Sequence, residues 1–181
     1  MKTIAFLTVI LMPLFTGSFI KAPSYIDWSA SRKLTWADFK GPVPPRAANA
    51  ALTNSSIGFD MGYGNNGFTY AISCRFDPEK SWGRVKTDLI LKHEQAHFDI
   101  TEIHARKLNQ AFRNYTFNEK TVEKDVNEMY DRIMKSHQEM QQLYDAETEH
   151  SINTREQARW LAKIAAELKS LAAFAQYPKR K

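Results

Sequence analysis

The 181-residue chain is 43% hydrophobic and 25% charged, a globular composition that excludes a disordered or low-complexity protein. Its net charge of +5 is not gathered in one block, so nothing in it argues for nucleic acid as a partner. At this length one domain with a buried core is expected over residues 23–181, behind a short leader.

The leader is "MKTIAFLTVILMPLF": Lys2, then an apolar run from Ile4 to Phe15, then the small residues of "TGSFIKA". That is the plan of a secretory signal peptide over residues 1–22, with a core too short to span a bilayer comfortably. The expected location is therefore periplasmic or secreted, with an uncleaved membrane anchor as the lesser alternative. No cysteine follows the run, which argues against lipid modification. Cys74 is the only cysteine, so no intrachain disulfide forms, and a strand position makes it a buried apolar filler.

Next comes "YIDWSASRKLTWADFKGPVPPRAANAA", irregular but rich in large apolar groups. Tyr25, Trp28, Leu34, Trp36 and Phe39 are expected to dock on the core, and "GPVPP" forms a rigid extended loop. "ALTNSSIGFD" and "GFTYAISCRF" read as two strands, the second alternating with Phe68, Tyr70, Ile72, Cys74 and Phe76 on one face. "MGYGNNG" between them supplies turn residues, giving an antiparallel hairpin.

From "DPEKSWG" onward the apolar period changes to that of helices. The first is expected from about Arg84 to Asn114 and the second from about Glu119 to Tyr144. The third opens at "TREQ", with Thr154 and Gln157 as a capping box and Ala158, Leu161, Ile164, Ala165, Leu168 and Leu171 buried. The fold class is α+β: a small antiparallel sheet followed by three helices. "YPKRK" at the end reads as a solvated basic tail.

"LKHEQAHFDI" lies in the first helix and carries the chemistry. His93 and His97, four residues apart, project from one helical face about 5–6 Å apart, close enough to share a metal ion. A wheel of about 100° per residue sets both at the border of the apolar stripe, with Glu94 beside them, where a base for a bound water must stand. Two buried imidazoles side by side need partners, and a metal satisfies both at once. The HExxH pattern and its imidazoles favour Zn2+. Asp99 and Glu102 fall on the far side, as solvated groups or as orienting partners of a neighbour.

A third ligand must come from elsewhere. His104 lies two turns further on, about 10 Å from His97, and cannot reach the same ion. His137, His150, Glu147 and Glu149 remain, His137 on the apolar side of the second helix and His150 in the polar break before the third.

These residues also resemble a known family. "HEQAHFDITE", "LTWADFKGPVP" and "YDAETEH" are similar to motifs of the bacterial domain of unknown function 922 family, whose members are labelled zinc-dependent proteases. The resemblance implies His93, His97 and His150 as metal ligands, Glu94 as the catalytic acid/base, and Tyr144 and Asp145 as site-forming residues. Ser151 departs from it, because relatives commonly carry glycine there.

The expected function is an exported zinc-dependent metallopeptidase with a zincin-like fold, acting on a peptide or protein substrate. A zinc-activated water attacks the peptide carbonyl, with Glu94 as general base and then as acid to the leaving amine. Tyr144 is the expected oxyanion donor. The alternatives are a metal-stabilised envelope or binding module without turnover, favoured by a closed four-ligand site, and a zinc hydrolase acting on a non-peptide bond. No stable membrane insertion is expected after signal cleavage, and no partner protein is named by the sequence. Latency would need a narrow cleft, a partner, or a lid such as "GPVPPRAANAA".

Overall fold

The computed structural model describes residues 24–65 and 67–179; the expected leader lies outside them. The elements are β1 (Ile26–Asp27), β2 (Ala51–Leu52), β3 (Ser55–Gly64), β4 (Gly67–Phe76), β5 (Trp82–Gly83), α1 (Asp88–Arg113), α2 (Val122–Thr148) and α3 (Thr154–Ser170). Short 3₁₀ turns cover Trp36–Asp38 and Ala172–Phe174. The α+β reading holds: two small antiparallel sheets and three helices. No helix among the described residues is long and apolar enough to cross a membrane.

The hairpin forms where the alternation places it. β3 and β4 pair from Ser55↔Phe76 to Gly64↔Gly67, so the turn is tighter than the glycine-rich stretch alone shows. Gly67 takes φ +80, a backbone state that costs other residues strain. β1 adds to the other edge of β4, giving the order β1-β4-β3. Ile72, Cys74 and Phe76 on β4 and Ile57 on β3 pack on Phe98, Leu108 and Phe112 of α1. Burial pushes the Cys74 thiol pKa up and makes it an inert filler.

β2 and β5 form the second sheet, Ala51↔Gly83 and Leu52↔Trp82. This pairing, unseen in the sequence, delays α1 to Asp88, with Thr87 as its cap accepting from the Ile90 N–H. A Cβ on Gly83 would meet the Trp36 ring at 2.6 Å, so only glycine permits this approach. The sheet also fixes the end of "GPVPPRAANAA": Arg84 and Val85 both donate their backbone N–H to the Ala50 carbonyl.

α1 is the central element. One face meets the sheet, while Ala96, Ile100 and Ile103 meet Tyr144 of α2 and Trp160 and Ile164 of α3. The apolar stripe on α3 differs from the expected one: Gln157 and Trp160 are buried with Ile164, and Ala158 and Ala165 are exposed. Its cap is Asn153, one residue earlier than expected, accepting from Glu156 N–H. Gln157 instead donates to the Leu89 carbonyl.

Asp99 and Glu102 are not solvated. Asp99 accepts from the Trp28 indole at 2.7 Å and the Gln95 amide at 2.9 Å, which pins the N-terminal segment to α1. Glu102 is 1% exposed, paired with Arg106 at 2.8 Å and accepting from the Tyr177 hydroxyl at 2.8 Å. The "YPKRK" reading is corrected by the same contact. Tyr177 is buried and the Pro178 carbonyl accepts the Ile72 N–H at 2.7 Å, so the tail's start is a docked strap. Its tyrosine supplies both an apolar ring and a donor for a buried carboxylate, a pairing that only the fold creates.

Candidate metal centre

His93, Glu94 and His97 lie in the second and third turns of α1, with His93 and Glu94 buried. The last turns of α2 bring Asp145 against them. One Asp145 carboxylate oxygen stands 3.1 Å from His93 Nε2 and 3.1 Å from His97 Nε2, and the two nitrogens are themselves 3.1 Å apart. His93, His97 and Asp145 thus form a group whose ligand atoms could hold one metal ion. Two ligand nitrogens on a tetrahedral zinc stand about 3.3 Å apart, so the spacing fits such an ion.

After α2 the chain turns sharply. Glu149, His150 and Ser151 take φ of 48, 52 and 79 in succession, three left-handed residues with side chains. The turn carries His150 back toward the cluster, its Nδ1 3.4 Å from the same Asp145 oxygen and its side chain 59% exposed. His150, the expected third ligand, therefore stands one step behind Asp145, at the rim. The φ of Ser151 explains why glycine would suit this position. Ser151→Gly is expected to raise the unfolding free energy by about 1 kcal/mol, read as a higher denaturant midpoint with unchanged slope.

Gln141 orients the cluster from α2. Its amide nitrogen donates to the His97 carbonyl at 2.9 Å, which fixes the amide's orientation, because a carbonyl oxygen can only accept. Its oxygen then accepts the His97 Nδ1–H at 2.6 Å. The neutral His97 ring consequently turns a lone pair at Nε2 toward His93 and Asp145, the side from which a metal ion would take it up. Burial works against charge on His97, but its hydrogen bond and attraction to Asp145 outweigh burial and hold its pKa above the usual value. Asp145 is held well below the usual carboxylate range, since contacts with His93 and His97 overcome its burial.

Glu94 completes the arrangement. Its Oε2 is buried without a hydrogen-bond partner among the described residues, and the side chain lines the cleft. The cleft has a volume of about 270 Å³, and Asn49, Ala51 and Thr53 line it together with the helical histidines. The donor set and the unpaired carboxylate together fit a metal with a base beside it.

Residues 70–151 match the family model described as bacterial protein of unknown function, DUF922. This segment belongs to the DUF922 family. It runs from β4 to the left-handed turn, so the DUF922 match contains every residue of the cluster: His93, Glu94, His97, Gln141, Asp145 and His150. No curated protein and no solved structure matches the chain.

Within the DUF922 segment, Tyr144 lies behind the histidines. Its ring stacks on His93 at 4.5 Å, its hydroxyl faces the His93 carbonyl at 3.5 Å, and it is fully buried. Burial raises its pKa, so the hydroxyl stays protonated. Glu147 accepts from the Trp160 indole at 2.6 Å, away from the cluster. His104 is buried, its Nδ1 beside the Ile100 carbonyl. His137, read from the sequence as a core or partner histidine, lines the cleft. Burial lowers its pKa to about 4, which keeps it neutral.

Nothing in the chemistry of Asp145 or Gln141 alone marks them as ligand and orienting group. Both lie four residues apart on the α2 face that meets α1, a spacing that marks them only once that face is known. Gln141→Leu frees the His97 ring and is expected to weaken metal affinity by about 10–100-fold, measured by competition with a chromogenic chelator.

Proposed function

We propose that the chain is an exported zinc-dependent peptidase with a zincin-like site, in which His93, His97 and Asp145 hold the metal. The reading rests on Glu94 Oε2, buried without a hydrogen-bond partner among the described residues, in a cleft beside those three groups. A carboxylate left without a partner costs free energy that a purely structural site has no reason to bear. The imidazole and carboxylate donors suit zinc among the common divalent ions.

A bound zinc supplies Lewis acidity, polarising a carbonyl and acidifying a water. The protein's own residues do the rest. Glu94 takes a proton from the attacking water and delivers it to the leaving amine. Asp145 balances charge in the cluster, and Gln141 keeps the His97 lone pair aimed inward. Tyr144 supports the His93 ring by stacking, and a buried hydroxyl facing the His93 carbonyl favours positioning over oxyanion donation.

The second reading is a metal-stabilised binding or envelope module. It is favoured by His150, whose Nδ1 lies 3.4 Å from Asp145 and could close the site as a fourth ligand. Incubating the zinc-loaded protein with a broad peptide library separates the two. The peptidase reading expects cleavage that a chelator abolishes and added zinc restores. A fully loaded protein that cleaves nothing supports the module.

A further inference from the structure

Peptide hydrolysis places negative charge on the carbonyl oxygen, and a second donor for that oxygen is worth as much as any group in such a site. Tyr144 does not offer one, because its hydroxyl is turned to the His93 carbonyl. A donor must line the cleft and carry a proton on an atom that no protein group consumes.

His137 meets both conditions, through the amide that orients His97. Gln141 Nε2 is fixed as nitrogen by the His97 carbonyl, and it stands 3.0 Å from His137 Nε2. An amide nitrogen donates only, and its two protons have three acceptors in reach: the His97 carbonyl at 2.9 Å, His137 Nε2 at 3.0 Å and Thr101 Oγ1 at 3.3 Å. The two shorter contacts take them, which gives His137 Nε2 the accepting lone pair. Thr101 Oγ1, 3.1 Å away, sits on the same side of the ring. The neutral ring therefore keeps its proton on Nδ1, and no group among the described residues accepts it. One backbone carbonyl thus sets both tautomers: lone pair inward on His97, N–H free on His137.

We infer that His137 is a catalytic residue whose Nδ1–H donates to the carbonyl oxygen of a bound peptide as that oxygen becomes an alkoxide. The inference rests on the peptidase reading. Water oxygen bonds to the carbonyl carbon, the C=O π pair moves to oxygen, and Glu94 receives the water proton. The oxygen pair then returns, the C–N bond breaks, and the Glu94 proton goes to the nitrogen. His137 keeps its own proton throughout, so it acts as a hydrogen-bond donor and not as an acid.

His137→Phe removes the donor while keeping a planar ring. His137→Asn restores an N–H near the Nδ1 position, because the asparagine amide nitrogen branches where Nδ1 does. Zinc content, kcat and KM are measured for each, together with binding of a peptide phosphonamidate, which mimics the tetrahedral anion, and of an uncleavable ketomethylene peptide, which mimics the ground state. Full zinc in both variants is expected. In the Phe variant, kcat and phosphonamidate affinity are expected to fall by roughly 10²-fold with KM and ketomethylene binding unchanged, and the Asn variant should recover at least a tenth of wild-type kcat.

Wild-type phosphonamidate affinity in a zinc-loaded Phe variant would overturn the assignment. So would loss of zinc in that variant, which would make His137 a support of the metal site. A zinc-loaded wild type that binds neither compound would instead overturn the peptidase reading, and this inference with it.

Discussion

Glu94→Gln is expected to keep the metal and abolish turnover, with kcat falling about 10³-fold on any peptide the wild type cleaves. The substitution is close to isosteric and its Oε2 position breaks no hydrogen bond, since that oxygen has no partner among the described residues. Removing a buried, unpaired carboxylate should leave the thermal midpoint unchanged or raised, the usual relation between a strained site and stability. Metal content, thermal midpoint and kcat on the same preparation check all three. Retained kcat in a metal-loaded variant would remove Glu94 from the mechanism.

The largest stability loss is expected from Arg106→Ala, about 3–5 kcal/mol at pH 7. Arg106 pairs with Glu102 at 2.8 Å, donates to the Leu168 carbonyl at 2.7 Å, and lies over the Trp28 ring. Both charged side chains are almost wholly buried, so truncating the arginine strands a carboxylate in apolar surroundings. Burial already raises the Glu102 pKa above the usual 4.5 despite Arg106 and Tyr177. A carboxyl raised in the folded state destabilises above its unfolded pKa, and the penalty shrinks as pH falls toward that value. The Arg106→Ala deficit in denaturant midpoint should therefore be larger at pH 7 than at pH 5. Equal deficits at both would show that Glu102 is not what the arginine supports.

The hairpin, the three helices and the HExxH pair were legible because each is written in one segment: alternation for β4, and residues four apart for His93 and His97. What stayed hidden is set between segments. A two-residue strand such as β5 has no period to read, so the helical pattern alone runs back to Arg84 although α1 begins at Asp88. Asp99, Glu102 and Tyr177 look solvent-facing on isolated elements and are buried by what docks on them. The resemblance carried His150 as third ligand, whereas the left-handed turn at 149–151 leaves Asp145 nearer the two imidazoles, and that turn's φ values cannot be read from residue types. His137 and Gln141 gained their place from the packing of α2 on α1.

The proposed metal centre depends on His93, His97 and Asp145 holding one divalent ion. Metal-stripped wild type, His97→Ala, Asp145→Ala and His150→Ala titrated with zinc against a competing chelator test it most directly. One ion per chain in the wild type, affinity weakened at least 100-fold in His97→Ala and Asp145→Ala, and a smaller loss in His150→Ala are expected. Wild-type affinity in Asp145→Ala, or a wild type that takes up no zinc, would contradict it.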